Sequence, residues 1–119
     1  FGPFPLNTFF APGTSTVEEM IASTEHGLYV TRFHYTRPVE PSKVVVTGMT
    51  RDGTFLIEDG EIASPVKNLR FTQSYLEALN RVEMIGRQPR LLLGMAGMAR
   101  ESVPALKLDK FAFTGATEF

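Results

Sequence analysis

The chain has 119 residues, no cysteine, and 12 Lys and Arg against 13 Asp and Glu for a formal net charge of −1, which bounds it to one domain with a single core and excludes disulfides and thiolate metal sites. Hydrophobic residues make up 43% and charged residues 21%, the balance of a globular protein, and no apolar run reaches the roughly 18 residues of a membrane-spanning helix. The cations are scattered from Arg32 to Lys110 instead of gathered on one segment, so neither direct DNA binding nor a membrane partner is expected.

Phe1-Gly2-Pro3-Phe4-Pro5 reads as the interior of a longer polypeptide, and residues 1–14 are expected to be an entry linker to a single domain over 15–119. No basic leader with an apolar region opens the chain, and the lack of Cys suits a reducing cytoplasm. Ser15 with Glu18, or Thr16 with Glu19, can form a capping box, and Val17, Met20 and Ile21 give the stripe of a short helix ending near Ser23. Leu28 to Tyr35 alternates as one strand, with Arg32 and His34 on a shared face, while Pro38 and Pro41 make Thr36–Pro41 a loop or a sheet edge.

Two Asp-Gly pairs, Asp52-Gly53 and Asp59-Gly60, favour type I′ hairpin turns, because Gly takes positive φ freely and Asp takes it at small cost. They predict a meander in which 44–50 pairs with 54–58, and 54–58 with the strand opening at Glu61. Within it Phe55 and Ile57 face inward, and Pro65 implies an edge or a bulge. Ser74 and Glu77 then cap a helix over 74–84, with Tyr75, Leu76, Leu79 and Val82 on one face and Gly86 just past its end, and Leu79 is expected in one core with Phe55 and Ile57. No period fits Arg87–Glu101, which reads as an adaptable loop or a short strand followed by a loop. Val103–Thr114 reads as strand, with a change of parity that requires a bulge or bend at Asp109-Lys110. The fold expected is α+β, mostly β: a curved antiparallel sheet, closing towards a barrel, with one main helix and one short N-terminal helix.

The words GLYVTRF at 27–33, TGMTRDGTFLIEDGEI at 47–62, PVKNLRFT at 65–72 and EMIG at 83–86, in that order, resemble the C-terminal domain of the TldD/PmbA family, also called modulator of DNA gyrase. The resemblance implies one domain of a cytoplasmic zinc metallopeptidase that degrades unfolded peptides or matures small ribosomal peptides. Its partners would be the remainder of the same polypeptide, a homo- or heterodimer subunit and a peptide substrate. The domain would be inactive alone, and would line the substrate channel or the subunit interface. The alternative is a non-catalytic binding or assembly module of a PmbA-like partner subunit.

In that family zinc is held by a HExxxH helix, whose two imidazoles bind the metal while the carboxylate activates water. This chain has no such pattern, and His26 and His34 lie eight apart, so no catalytic or metal-ligating residue is assigned here. Zinc is expected only in the intact protein, if its upstream part carries HExxxH. In the TldD branch a cysteine ahead of the last strand completes the metal site; the matching stretch here, Arg90–Met98, has none, which points to the metal-free PmbA-like type or to a branch that completes its site differently. Met95 or Met98 is a weak substitute ligand, because thioethers favour copper over zinc. Glu58, Asp59 and Glu61 read as a solvated acidic turn. The residues singled out are Leu93, Gly94, Met95, Gly97 and Met98, as a substrate or interface loop, and Arg32 and His34, as lining of a groove.

Overall fold

The computed structural model describes residues 6–94 and 99–116, which form twelve strands and two short helices. After β1 (Asn7–Phe9), helix α1 (Val17–Ala22) opens at Thr16, whose hydroxyl oxygen accepts the Glu19 N–H at 3.0 Å while the Glu19 carboxylate accepts the Thr16 N–H at 3.3 Å. Of the two capping boxes open to the sequence, the one at Thr16 forms. Strands β2 (His26–Val30) and β3 (Phe33–Glu40) are separated by Thr31 and Arg32, and a 3-10 turn at Pro41–Lys43 leads into β4 (Val45–Thr50). Next come β5 (Thr54–Glu58), β6 (Glu61–Pro65), β7 (Leu69–Ser74) and helix α2 (Tyr75–Leu79). The chain continues through β8 (Val82–Ile85), β9 (Arg90–Gly94), β10 (Ala99–Val103), β11 (Leu106–Leu108) and β12 (Phe113–Ala116).

The strands pair as β12-β7-β4-β3, β2-β5-β6, β1-β10-β9 and β11-β8. Asp59-Gly60 makes the predicted turn, with φ of 51° and 78°, between the paired strands β5 and β6. Glycine is required there twice over, since a Cβ at Gly60 would also lie 2.7 Å from the Ala22 carbonyl oxygen. Asp52-Gly53 also takes positive φ, 62° and 126°, but does not join paired strands. Instead β4 pairs with β3 and β7, and β5 pairs with β2 and β6. Thr31 and Arg32 stand opposite Arg51, Asp52 and Gly53, with the Thr31 N–H on the Gly53 oxygen at 3.2 Å and the Arg51 N–H on the Arg32 oxygen at 2.9 Å. Two residues against three is a bulge. β2-β3 and β5-β4 are therefore one long bent ribbon, each half built into a different sheet, and the single strand expected over Leu28–Tyr35 is divided at this bend.

Edges fall where prolines put them. β3, with Pro38, and β6, with Pro65, are the outer strands of their sheets. The bend expected near Asp109-Lys110 lies between β11 and β12. The four-stranded sheet buries Gly48, Thr50, Phe71 and Gln73 on one face. Phe71 is 0% exposed; its ring centroid lies 4.5 Å from that of Phe33 and 5.1 Å from that of Phe111. Ile57 and Met20 are buried, while Phe55 is half-buried and stacks on Tyr29 at 6.2 Å.

Further expectations are corrected. The sheets are several and none closes among the described residues, so the molecule is not barrel-like. Pairing is antiparallel except for β1 with β10 and a bridge between Ser15 and Gly86, both parallel. The main helix is not 74–84: it ends at Leu79, because Val82–Ile85 pairs with β11 as a strand. Its Leu79 is 50% exposed and Ala78 is the buried residue, so Leu79 does not share a core with Phe55 and Ile57. Within the stretch read as a loop over Arg87–Glu101, Arg90–Gly94 instead pairs as an antiparallel strand with Ala99–Val103, and residues 95–98 lie outside the described residues. The first strand pairs with β10 and the Gly13–Ser15 stretch bonds to Ile85–Arg87, through Gly13 N–H to the Gly86 oxygen at 2.9 Å and Arg87 N–H to the Ser15 oxygen at 2.8 Å.

Candidate functional site

β9 is the outer strand of its sheet, with Leu91, Leu92 and Leu93 opposite Ser102, Glu101 and Arg100 of β10. β10 is occupied on its other side, where the Arg100 N–H reaches the Leu6 oxygen at 2.7 Å and the Phe10 N–H the Ser102 oxygen at 2.9 Å. Side chains alternate along a strand, so Leu91 and Leu93 project from one face and Leu92 from the other. All three are uncovered, at 67%, 66% and 45% exposure. An edge strand presents unpaired N–H and C=O groups, and proteins commonly protect such edges with proline or charge. β3 and β6 have prolines; β9 has one charge, Arg90 at its start just after Pro89, and its Leu91–Leu93 run carries neither device. Of the residues singled out from the sequence, Leu93 and Gly94 lie on this strand, and Met95, Gly97 and Met98 lie outside the described residues.

Arg32 and His34 are separated by the bend of the ribbon. The Arg32 guanidinium pairs with Asp52 at 2.7 Å in an exposed position. His34 instead lines a shallow recess of about 220 Å³ with Tyr35, Met49 and Arg51. Arg51 and Met49 were not singled out from the sequence. They could have been found only by pairing 45–50 against 33–40, which the Asp-Gly signal argued against. Among the described residues no three His, Asp or Glu side chains converge on a point that could hold a metal ion. No helix among the described residues is long and apolar enough to cross a membrane.

The chain matches the PmbA/TldA metallopeptidase C-terminal domain over residues 1–115. It is 34% identical over 98 residues to a metalloprotease of Methanothermobacter thermautotrophicus, covering 82% of this chain and 21% of that protein. With the metalloprotease TldD homolog of Haemophilus influenzae it shares 30% identity over 122 residues, covering 95% of this chain and 25% of the relative. The chain thus spans about a fifth to a quarter of these relatives' length. In fold it resembles TldE from Thermococcus kodakarensis, with a TM-score of 0.75 at 18% identity over 90% of this chain and 23% of that one. A candidate modulator of DNA gyrase from Bacteroides thetaiotaomicron gives a TM-score of 0.67 at 21% identity over 94% of this chain and 22% of that chain.

Proposed function

Since the chain belongs to the PmbA/TldA metallopeptidase C-terminal domain family, we propose that it is the non-catalytic, peptide-handling domain of a cytoplasmic zinc peptidase. Among the described residues no three His, Asp or Glu side chains form a ligand set for the zinc the family implies, and in this reading the metal is held by the rest of the protein. Its contribution is to hold an extended peptide beside a metal centre supplied by the rest of the protein, within a homo- or heterodimer. The observation that carries this reading is the outer position of β9 with Leu91–Leu93 exposed along it. Main-chain pairing to such an edge accepts any extended sequence, which suits unfolded peptides, while exposed leucines on both faces grip alternate side chains.

The test is made in the full-length protein with Leu91→Lys and Leu93→Lys combined. Both positions are exposed, so the fold tolerates the change. Peptide cleavage, or assembly with the partner subunit, is expected to fall at least about tenfold, a loss of roughly 1.4 kcal/mol; unchanged cleavage and assembly would refute the reading. A second reading, an assembly module of a metal-free subunit, is favoured by the complete lack of cysteine. Zinc analysis of the full-length protein separates the two, stoichiometric zinc supporting the first.

A further inference from the structure

The four-stranded sheet covers one face and leaves the other open, and the open face is cationic. Directly opposed residues of antiparallel strands share a face. Met49 stands opposite both His34 and Arg70, and Thr47 stands opposite both Arg37 and Thr72. The two threonine hydroxyls touch at 3.2 Å, which fixes that register. Arg51 follows Met49 by two residues and lines the same recess as His34. His34, Arg37, Arg51 and Arg70 are thereby displayed together around the half-buried Met49. β3, β4, β7 and β12 contain a single carboxylate, Glu40, at the far end of β3, and it lies 3.9 Å from Lys43. No carboxylate lies within ion-pair distance of Arg37, Arg51 or Arg70 among the described residues.

A strained residue stands at the rim. Tyr35 has φ of 55°, a conformation that is a genuine outlier for a bulky side chain and that tends to persist where function requires it. Its backbone belongs to a bulge between His34 and Arg37, which brings both those side chains to the same face despite their odd spacing. The Arg37 guanidinium covers the Tyr35 ring at 4.8 Å and bonds its carbonyl oxygen at 3.4 Å, so the wall of the recess is held in place.

The geometry points to a docking site for an acidic, extended segment of the peptide substrate, with one carboxylate in the recess between His34 and Arg51 and further carboxylates along Arg37 and Arg70. Guanidinium groups take carboxylates through paired, charge-assisted hydrogen bonds, and Met49 and Tyr35 offer apolar contact to the side-chain stem. The nearest carboxylate in sequence, Asp52, is taken by Arg32 at 2.7 Å, and Glu40 lies beside Lys43. Glu58, Asp59 and Glu61 surround the turn at the other end of the bent ribbon, on the order of 20 Å from Arg51 at strand spacing. Charge complementarity therefore selects an acidic partner and repels a basic one. This inference rests on the peptide-handling reading for the origin of the segment, and binding is measured without hydrolysis so that the two fail separately.

The experiment titrates the full-length protein with a fluorescein-labelled hexaglutamate peptide, a hexalysine peptide and a single-stranded DNA hexamer, by anisotropy at low and physiological salt. Hexaglutamate is expected to bind, and to weaken as salt rises. Arg51→Gln and Arg70→Gln are each expected to weaken it roughly tenfold or more, the loss of a charge-assisted hydrogen bond. Arg87→Gln, an equal change of charge on the exposed β8–β9 connection, should leave it unchanged. Equal effects of all three substitutions, no binding of hexaglutamate, or tighter binding of the DNA than of the acidic peptide would overturn the proposal. The three substituted residues are exposed, so unchanged thermal unfolding of each variant confirms that binding and not folding is being read.

Discussion

Phe71→Ala tests where the core lies. The ring is fully buried on the inner face of the central strand β7 and contacts Phe33 and Phe111 at centroid distances of 4.5 and 5.1 Å. Burying an aromatic side chain of about 150–250 Å² contributes roughly 4–6 kcal/mol at 25 cal/mol per Å² as an upper bound. Truncating buried Phe to Ala costs about 3–5 kcal/mol once partial collapse of the cavity is included. We expect about 4 kcal/mol. With an unfolding entropy of roughly 0.25 kcal/mol per degree for a chain of this length, that lowers Tm by about 15 °C. Urea and thermal unfolding measure it, with Leu79→Ala as the comparison. A buried helical Leu79 would also cost about 2–5 kcal/mol when truncated, but at 50% exposure the side chain has little left to lose, and a cost below about 1 kcal/mol is expected. A larger loss from Leu79 than from Phe71 would refute the placement of the core between the four-stranded sheet and the Phe111 segment.

Thr50, 0% exposed, accepts hydrogen bonds from the Thr54 hydroxyl at 2.7 Å and the Leu69 N–H at 2.9 Å. Thr50→Val strands both donors and is expected to cost about 2–4 kcal/mol in urea unfolding, whereas Thr54→Val leaves Thr50 one partner and should cost less than half as much; the reverse order would be decisive against this network. Burial raises the Tyr75 hydroxyl pKa above its usual value near 10. The folded state therefore keeps the proton longer than the unfolded chain. Stability from this group is fully present below pH 10 and is lost as pH rises through the higher folded pKa. Unfolding free energy measured from pH 9 to 11 should thus fall, and fall less steeply in Tyr75→Phe; an identical slope in the two proteins would exclude the mechanism.

Local chemistry was legible in the sequence where it acts over a few residues. The Thr16 capping box, the Asp59-Gly60 turn and the edge placement forced by Pro38 and Pro65 each depend on neighbours within one turn or one strand. What failed depended on distant partners. Asp52-Gly53 carries a hairpin signal because a type I′ turn and this bulge make the same demand, two consecutive positive φ values. Which of them forms is decided by whether 45–50 gains more against 54–58 or against 33–40 and 69–74, a comparison that local pattern cannot make. The overlong helix has a similar origin. Leu79 and Val82 satisfy a helical i, i+3 spacing, but Val82 and Met84 also satisfy the two-residue period of a strand, and β11 settles the matter by pairing with them.

The two candidate surfaces show the same division. Leu91–Leu93 could be seen as an apolar run in the sequence, yet its exposure follows from being the last strand of a sheet, which depends on β1 having taken the other side of β10. The cationic face was less visible still, because its members come from β3, β7 and the residue after β4, and its register contains a bulge. Simple alternation puts Arg32 with His34, but the bend hands Arg32 to Asp52 and puts Arg51 beside His34 instead. The extra residues at Tyr35 and Thr36 then bring Arg37 to the same face as His34, a placement that an unbroken strand forbids. Both irregularities carry positive φ, at Tyr35 and at Asp52-Gly53, so the backbone departs from regular geometry at the points that gather these cations. Phe71 and Thr50 are buried on the other face of the sheet, so the core alone does not dictate which side chains the bulges at Tyr35 and at Asp52-Gly53 bring together on the open one.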